Sequence, residues 1–526
     1  MLHSRSFTDW MTIGFGLWRS LRLGVVSVGI VLAALIVFGE AAESRKPNIV
    51  FILADDLGYG ELGCFGQTKI RTPHLDKLAA NGMRLTQQYS GNAVCAPSRC
   101  VLMTGKHPGH AFIRDNRGTP PEGQYPIPLD TVTLPKLLGQ QGYVCGGFGK
   151  WGLGGPGSSG EPLKQGLNRF FGFNCQSVAH NHFPTYLWDN DRRVSLKNPE
   201  FSAHQDKLPK GADPNDRSSY AGFIGQDFAQ DKIAEQALRF VRDNKDRPFF
   251  LYVPSTIPHV AIQVPDEALR EYLGQFEETP YAGGKGYLPQ FAPRAAFAAM
   301  ISRLDRDVGR IVALIQELNL EQDTLFVFSS DNGPLANAYQ GYAGTDGRFF
   351  NSTGGLRAEK GSLYEGGVRV PTIVSWKGKI AAGSKSERIS GFEDWLPTLV
   401  EIAGGKDAVP ANIDGISLSP TLRGESQPQR PFLYREFPSY GGQQSVRLGD
   451  WKGVRQKLYP KGKANSAQPV IKTELYNIKE DVAEEKDVAD QHPEIVAKIE
   501  QIMRVQHTPS QEFPLPVLDH LSAAPK

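Results

Sequence analysis

The sequence predicts an α/β fold: one large, mixed but mostly parallel sheet sandwiched by helices, plus a small C-terminal α+β domain. Short apolar runs recur along the chain at 47–54, 143–149, 249–253, 324–328 and 370–376. Unbroken apolar runs of this length are typical of strands that are buried on both faces. Helical patterns separate the runs, and this alternation favours a mainly parallel sheet.

The segments between the strands carry helix signals. Thr72 and Pro73 open a predicted helix that ends at Gly82. Two longer segments place their apolar residues on one helical face. These residues are Ile233, Ala237, Leu238 and Val241 in the first segment, and Phe297, Ile301, Leu304, Val308, Ile311, Val312 and Ile315 in the second.

A change of composition at 414–431, which is rich in Ser, Pro and Gly, indicates the end of the large domain. Beyond it, residues 432–434, 445–448 and 451–454 are typical of short strands with turns, and 494–505 of an amphipathic helix. We therefore expect a large domain over 46–425 and a small domain over 426–510. The Pro-rich tail after His507, including 511–526, is expected to be loosely ordered.

The N-terminus carries an apolar run, Gly24–Gly39, which follows Arg19 and Arg22 and precedes Ala41 and Ala42. This order predicts a secretory signal peptide over 1–42. The run is shorter than the roughly 20 apolar residues of a spanning helix, although an uncleaved anchor stays open. We therefore expect a periplasmic or secreted protein without a stable membrane span.

Charge and cysteine content exclude two classes of protein. The 526 residues include 58 basic and 56 acidic side chains, a net charge of +2, which gives no general attraction to nucleic acid. The five cysteines are Cys64, Cys95, Cys100, Cys145 and Cys175. None has the C-x-x-C spacing of a zinc site, and their odd number leaves at least one unpaired in an exported chain.

Polar residues follow several predicted strands at the point where each strand ends. They are Asp55 and Asp56, Lys150, His259, and Asp331 with Asn332. Ligands of open α/β sheets bind beyond the carboxyl ends of the strands, so we expect these side chains to converge. The carboxylate and amide oxygens among them are ligands that Ca²⁺ or Mg²⁺ prefers.

A further motif, Cys95-Ala96-Pro97-Ser98-Arg99 followed by Leu102-Met103-Thr104-Gly105-Lys106, has the signals of a short helix. Pro97 suits the first turn and Gly105 the residue after the last. Cys95 would then lie at the helix N-terminus, where backbone N–H groups favour an anion. Arg99 would lie one turn later on the same side.

This motif resembles the C-x-P-S-R and L-x-T-G-[KR] signature of the type I sulfatases, in the alkaline phosphatase superfamily. The resemblance implies an alkaline phosphatase-like catalytic domain and a small C-terminal domain with an antiparallel sheet and a packed helix. It also implies that a formylglycine-generating or anaerobic maturation enzyme converts Cys95 to formylglycine, whose hydrate is the nucleophile. The metal implied is Ca²⁺, with Mg²⁺ as the alternative, on Asp55, Asp56, residue 95, Asp331 and Asn332. A thiolate would be a poor ligand for such an ion, whereas a hydrate presents oxygen.

The same resemblance implies roles for Lys150, Lys360 and His259, together with Arg99. Lys360 lies in a K-G-S-L-Y-E-G-G-V-R-V-P stretch that is similar to the sulfatase pattern. With Arg99 and Lys150 it would supply fixed positive charge for the sulfate group. His259, in a Pro-His pair after a strand, would protonate the departing alcohol.

One position departs from the family pattern. Sulfatases commonly have K-W-H-L-G after this strand, but here the third residue is Gly152. The His that would help to deprotonate the hydrate is therefore absent. His180 and His182 are the candidates to replace it, although binding of substrate or a place in a loop is an equal alternative for both.

Substrate specificity is expected in the loops 107–130, 174–220, 274–293 and 334–356. They carry Tyr186, Trp188, Tyr281, Tyr287, Tyr339, Tyr342 and Phe349. Aromatic residues beside Arg and Asp suit sugar rings, which favours a sulfated glycan over a simple aryl sulfate. Two other functions stay open: a phosphodiester or phosphonate monoester hydrolase of the same superfamily, and a non-catalytic glycan-binding relic.

Overall fold

A ten-stranded mixed sheet organises the large domain. The computed structural model describes residues 45–120, 122–204, 206–284, 286–335, 344–459 and 471–522. The predicted signal peptide, with Tyr339 and Tyr342, lies outside the described residues. Within them, no helix combines the length and the apolar character that crossing a bilayer requires.

The strands and helices are numbered here in chain order. The strands are β1 (Asn48–Ala54), β2 (Met83–Leu85), β3 (Gln88–Tyr89), β4 (Val144–Lys150), β5 (Arg169–Phe173), β6 (Tyr186–Asp189), β7 (Arg192–Ser195), β8 (Phe249–Pro254), β9 (Thr324–Ser330), β10 (Thr372–Ser375), β11 (Ser384–Ser386), β12 (Ser390–Gly391), β13 (Leu433–Phe437), β14 (Gln443–Leu448), β15 (Trp451–Arg455) and β16 (Glu474–Asn477). The helices are α1 (Pro73–Ala80), α2 (Cys95–Thr104), α3 (Leu134–Gln140), α4 (Ala229–Asp243), α5 (Asp266–Leu269), α6 (Pro293–Glu317), α7 (Gly347–Phe350), α8 (Glu365–Val368), α9 (Trp395–Ile402), α10 (Ser419–Leu422), α11 (Pro493–Gln506) and α12 (Pro516–Ser522).

The large sheet has the order β11-β2-β10-β9-β1-β8-β4-β5-β6-β7. The five central strands, β9, β1, β8, β4 and β5, are parallel to one another. β10 is antiparallel to β9, and β6 and β7 form an antiparallel extension on the other side. The predicted mixed, mostly parallel sheet is therefore confirmed, and the carboxyl ends of its central strands meet at one edge.

Strand β1 shows why these apolar runs are unbroken. Its residues Val50, Ile52 and Ala54 belong to one hydrophobic core, which also contains residues of α1, α4 and α6. Ile49, Phe51 and Leu53 of the same strand belong to a second core with residues of α2, α3 and α9. Both faces of the sheet are thus covered by helices. Full burial of a large aliphatic side chain contributes about 1.5–3 kcal/mol, so a polar residue in place of any of these apolar ones would destabilise the fold.

The C-terminal part contains a second sheet of four antiparallel strands in the order β13-β14-β15-β16. Ile499 and Met503 of α11 pack against Val446 and Leu475 of that sheet. The expected antiparallel sheet with a packed helix is confirmed, whereas the boundary between residues 425 and 426 stays a prediction.

The prediction of a loosely ordered tail was wrong for the described part of that segment. Helix α12 forms there, and Leu515 and Leu518 pack with Leu458 in a small core. His507 bonds Asp519 at 3.0 Å between Nε2 and Oδ1. The apolar residues of the tail are few in the sequence, but they have a partner surface that composition does not reveal.

Candidate functional site

The carboxyl edge of the sheet brings the predicted polar residues together. Asp55 and Asp56 follow β1, Asp331 and Asn332 follow the neighbouring β9, and Lys150 is the last residue of β4. Helix α2 begins at Cys95 beside this edge. Nine predicted residues form one connected set of buried or nearly buried contacts: Asp55, Asp56, Cys95, Arg99, Lys150, His259, Asp331, Asn332 and Lys360.

Cys95 lies at the centre of these contacts. The preceding residue, Val94, is extended, and Gly105 ends the helix with a left-handed φ of 67°, as predicted. The Cys95 Sγ lies 3.6 Å from Asp55 Oδ1, 3.5 Å from Lys150 Nζ and 3.7 Å from Lys360 Nζ. Burial raises the pKa of the Cys95 thiol to about 12, against the pull of both lysines. An unmodified thiol here is neutral, and hence a weak nucleophile, at neutral pH.

Each of the three buried carboxylates has a cationic partner. Lys150 Nζ lies 2.6 Å from Asp55 Oδ2, and Lys360 Nζ lies 2.8 Å from Asp56 Oδ2. Arg99 donates from Nε and Nη2 to Asp331 Oδ2 at 3.0 and 2.6 Å. The charges therefore balance, three against three, which is the condition for burying so many ions.

The pKa values of Asp55 and Asp331, which follow the neighbouring strands β1 and β9, are shifted in opposite directions. Burial alone would raise the pKa of Asp55, but Lys150, His259, Arg99 and Lys360 outweigh it and hold that pKa well below its usual range. Burial, together with the charge of Asp55, raises the pKa of Asp331 to about 6.

Backbone geometry fixes the acidic turn after β1. Asp56 has a left-handed φ of 63°, which non-glycine residues rarely adopt. Its N–H donates to Asp331 Oδ1 at 3.1 Å, and Asn332 Nδ2 donates to Asp56 Oδ1 at 2.7 Å. Such strain persists where surrounding contacts over-determine it, often at functional sites.

The donor set fits a hard divalent cation. Ligand atoms of Asp55, Asp56, Cys95 and His259 all lie within 4.8 Å of one another. The Asn332 Oδ1 is buried and has no hydrogen-bond partner within the described ranges, so it has a lone pair to offer. Carboxylate and amide oxygens suit Ca²⁺ or Mg²⁺, whereas the sulfur of Cys95 does not. The fit is complete only with oxygen at position 95.

His259 faces the same centre. Its Nδ1 bonds the Val260 carbonyl, and its Nε2 lies 3.5 Å from Asp56 Oδ2. Burial and the charge of Lys360 lower the pKa of His259 to about 3, although the Asp56 carboxylate opposes this, so the imidazole is neutral at neutral pH.

His180 and His182 reach the centre through His259. The His180 ring stacks on the His259 ring with centroids 4.0 Å apart, and its Nδ1 lies 3.2 Å from His204 Nε2. The two nitrogens of His182 contact the His259 carbonyl at 2.9 Å and Thr256 Oγ1 at 3.3 Å. His182 thus holds the backbone of His259, and a proton-transfer role for either residue stays a prediction.

Sequence reasoning missed two residues beside the site. Tyr252 lies within the apolar run of β8. Burial raises the pKa of its hydroxyl, and the nearby charges of Arg99 and Asp331 also affect that pKa, in opposite directions. Gln176 lies against Gly152, and nothing in its polar segment distinguishes it. The position of Tyr252 near the end of β8 could have indicated its place beside the site, because β8 is parallel to β1 and ends beside Asp55. The predicted loop residue Tyr287 does reach the site, with its ring 5.7 Å from that of His180.

The predicted aromatic residues Tyr186 and Trp188 belong to β6 and not to a loop. Both donate to Glu122, from Tyr186 Oη to Oε2 at 2.5 Å and from Trp188 Nε1 to Oε1 at 2.7 Å. The guanidinium of Arg193 lies over both rings, 4.2 Å and 5.1 Å from their centroids.

Comparison with known proteins defines the class. Human arylsulfatase A is 32% identical over 505 residues, which cover 88% of each chain. The dog N-acetylgalactosamine-6-sulfatase is 32% identical over 428 residues, covering 79% of this chain and 72% of that protein. Both relatives are named as sulfuric ester hydrolases, and this chain is an enzyme of that class.

Two family models and a solved structure specify the family. The model described as Sulfatase matches residues 47–405, and that described as N-sulphoglucosamine sulphohydrolase, C-terminal, matches 358–508. The crystal structure of Ps i-CgsB, also solved with k-i-k-neocarrahexaose, has a TM-score of 0.70 and 25% identity, covering 92% of this chain and 98% of that one. The chain belongs to the sulfatase family, which confirms the resemblance found in the Cys95 motif.

Proposed function

We propose that this enzyme hydrolyses sulfate esters of carbohydrates, with formylglycine formed from Cys95 and with bound Ca²⁺. One observation carries the proposal: the side chain at position 95 starts a helix and lies within 3.7 Å of Asp55 and of the two lysines Lys150 and Lys360. A neutral thiol at this position would be a weak nucleophile. An oxygen nucleophile would be stabilised both by the bound cation and by the two lysines.

Asp55, Asp56, Asp331, Asn332 and the oxygen of residue 95 would hold the cation. When bound, Ca²⁺ would polarise the sulfate group and favour the deprotonated nucleophile. One hydroxyl of the hydrated aldehyde would attack the sulfur, and the second would then lose its proton and expel the sulfate as the aldehyde re-forms. A serine side chain has one hydroxyl and could not release the sulfate in this way.

The chain's own cations hold the anion in this proposal. Lys150 and Lys360 flank position 95 and would donate to sulfate oxygens, while Arg99 fixes Asp331 and donates to the Lys150 carbonyl at 2.5 Å. Because these groups are buried and already placed, their charges act with little reorganisation.

His259 would handle the proton of the leaving alcohol. The Val260 carbonyl orients the ring through Nδ1, so Nε2 is the nitrogen that faces the reacting centre. An anionic ester beside Nε2 would favour the protonated ring, which could then transfer its proton to the alcohol oxygen.

A carbohydrate substrate is supported by the relatives. The dog enzyme is named for N-acetylgalactosamine 6-sulfate, and the C-terminal model for N-sulphoglucosamine. The Ps i-CgsB structure was solved with an oligosaccharide. We propose the same chemical class here, and an exported location in which sulfated glycans are encountered.

Peptide mass and turnover test the proposal together. Trypsin should release residues 85–99, which contain Cys95, and residues 100–106, which contain Cys100 as an internal control. In protein made with a maturation enzyme we expect the first peptide to lose sulfur and gain an aldehyde while the second keeps its thiol. Sulfated monosaccharides should then turn over faster than matched phosphodiesters or phosphonates. Full sulfatase activity with an intact thiol at position 95 would refute the mechanism, and faster phosphodiester cleavage would refute the substrate class.

A further inference from the structure

The position that lacks the expected histidine is not empty space. Gly152 has a left-handed φ of 82°, and a Cβ built on it would lie 1.7 Å from Gln176 Nε2 and 2.8 Å from its Cδ. Real Cβ atoms do not approach other atoms so closely. The carboxamide of Gln176 therefore fills the volume that any side chain at position 152 would need.

Gln176 is buried, but the polar atoms of its side chain lack hydrogen-bond partners among the described residues. The residue is 5% exposed, and neither Nε2 nor Oε1 has a hydrogen-bond partner in the described part of the chain. A buried polar group without a partner destabilises a protein by about 1–3 kcal/mol. Native interiors rarely retain such a group, so it points to a ligand that completes its hydrogen bonds.

The segment that carries Gln176 is held beside the reacting centre at both of its ends. At its start, the N–H of Gly152 donates to the Asn174 carbonyl at 3.2 Å, two residues beyond Lys150, whose Nζ contacts Cys95. At its end, His180 stacks on His259. Gln176 lies between these two contacts along the chain, and its carboxamide lies against Gly152, two residues after Lys150.

We propose that the Gln176 carboxamide is a substrate-binding group that donates an N–H to an oxygen of the sulfate ester. It would do so from the volume that a side chain at position 152 would otherwise occupy. This inference rests on the proposed function, because it assumes that the anion binds beside residue 95. A carboxamide carries no titrating proton near neutral pH. Together, Gly152 and Gln176 therefore place a neutral hydrogen-bond donor where the family pattern has an imidazole. This donor would bind the substrate and would not transfer protons.

Binding of inorganic sulfate to the Ca²⁺-loaded protein, measured by isothermal titration calorimetry, tests the inference without turnover. Gln176→Met keeps the shape and removes both polar atoms, and we expect sulfate affinity to fall about 10- to 100-fold, the loss of one charge-assisted hydrogen bond. Gln176→Glu keeps the shape and adds negative charge, and it should abolish measurable binding.

Gln165→Met is the matched control. Gln165 is also buried, but its Nε2 donates to the carbonyls of Pro128 and Ser159 at 3.0 and 2.8 Å. We expect this variant to melt at a lower temperature than the wild type and to bind sulfate equally well. Gln176→Met should show the converse, with a melting temperature no lower than the wild type because no internal hydrogen bond is lost.

Two results would overturn the inference, and they are distinguishable. If Gln176→Met and the wild type bind sulfate with the same affinity, the carboxamide is not a binding group although the anion site stands. If the wild type binds no sulfate with Ca²⁺ present, the proposed function fails and the inference fails with it.

Discussion

Lys360 provides the sharpest test of the site, because its ammonium group contacts both a carboxylate and residue 95. Its Nζ lies 2.8 Å from Asp56 Oδ2 and 3.7 Å from Cys95 Sγ, with only 11% of the side chain exposed. Two unit charges at this distance attract by about 6 kcal/mol at an effective dielectric constant of about 20. Desolvation offsets much of this, and breaking a buried pair typically destabilises a protein by about 3–5 kcal/mol.

Lys360→Met keeps the length of the side chain and removes its charge. We expect kcat/KM on an aryl sulfate to fall about 10²- to 10³-fold, which corresponds to about 2.7–4 kcal/mol of transition-state stabilisation. The free energy of unfolding should fall as well, because Asp56 loses its partner, and added Ca²⁺ should restore part of it. Urea unfolding with and without Ca²⁺ measures the second effect separately from the kinetics.

Lys452→Met is the matched control, since it removes another buried lysine that bridges acids. Lys452 Nζ lies 2.9 Å from Glu365 and 3.1 Å from Glu484, and 2% of its side chain is exposed. This variant should lose a similar free energy of unfolding and keep the kcat/KM of the folded protein. Equal kinetic losses in the two variants would refute the reasoning, because the effect of Lys360 would then be one of stability alone.

Three further outcomes follow from the same contacts. Asn332→Leu removes the unpaired amide oxygen, so the rise in melting temperature on adding Ca²⁺, clear in the wild type by calorimetry, should shrink or vanish. Cys95→Ala leaves no side-chain heteroatom that could become an aldehyde, and turnover of sulfate esters should fall by at least about 10³-fold in steady-state assays. Glu436 and Asp519 raise the pKa of His507 although burial opposes them; the stability this adds is complete below the ordinary pKa and is lost as pH rises through the raised one. His507→Gln should therefore destabilise the protein more at pH 5.5 than at pH 9 in urea titrations, and an equal loss at both would contradict the shift.

The sequence predicted those parts of the fold that local pattern determines. The run 49–54 is apolar at every position because helices cover both faces of β1, and this alone distinguishes a central parallel strand from an edge strand. The parallel order then brings the carboxyl ends of β1, β4 and β9 to one edge, so the convergence of Asp55, Lys150 and Asp331 could be predicted without contacts.

The rest depends on tertiary contacts that no local pattern records. The segment that contains β6 and β7 was predicted as a loop. β6 has only four residues and β7 is exposed along its whole length, yet both extend the sheet beside β5. Gln176 is one amide in a polar segment, and its position becomes apparent only when the φ of Gly152 and the missing Cβ are known. The missing histidine at 152 could be seen in the sequence, whereas the group that fills its volume could not.

The balance of charge explains how one set of residues can hold both a cation and an anion. Asp55, Asp56 and Asp331 face Lys150, Lys360 and Arg99, so the protein alone is neutral here. A divalent cation among the carboxylates would make the site positive by two charges, and only then would it attract an anionic ester strongly. Each lysine ammonium has three N–H donors and uses one on its carboxylate, which leaves donors for sulfate oxygens. The carboxylates that gather the metal are therefore also the groups that hold the lysines in place for the anion.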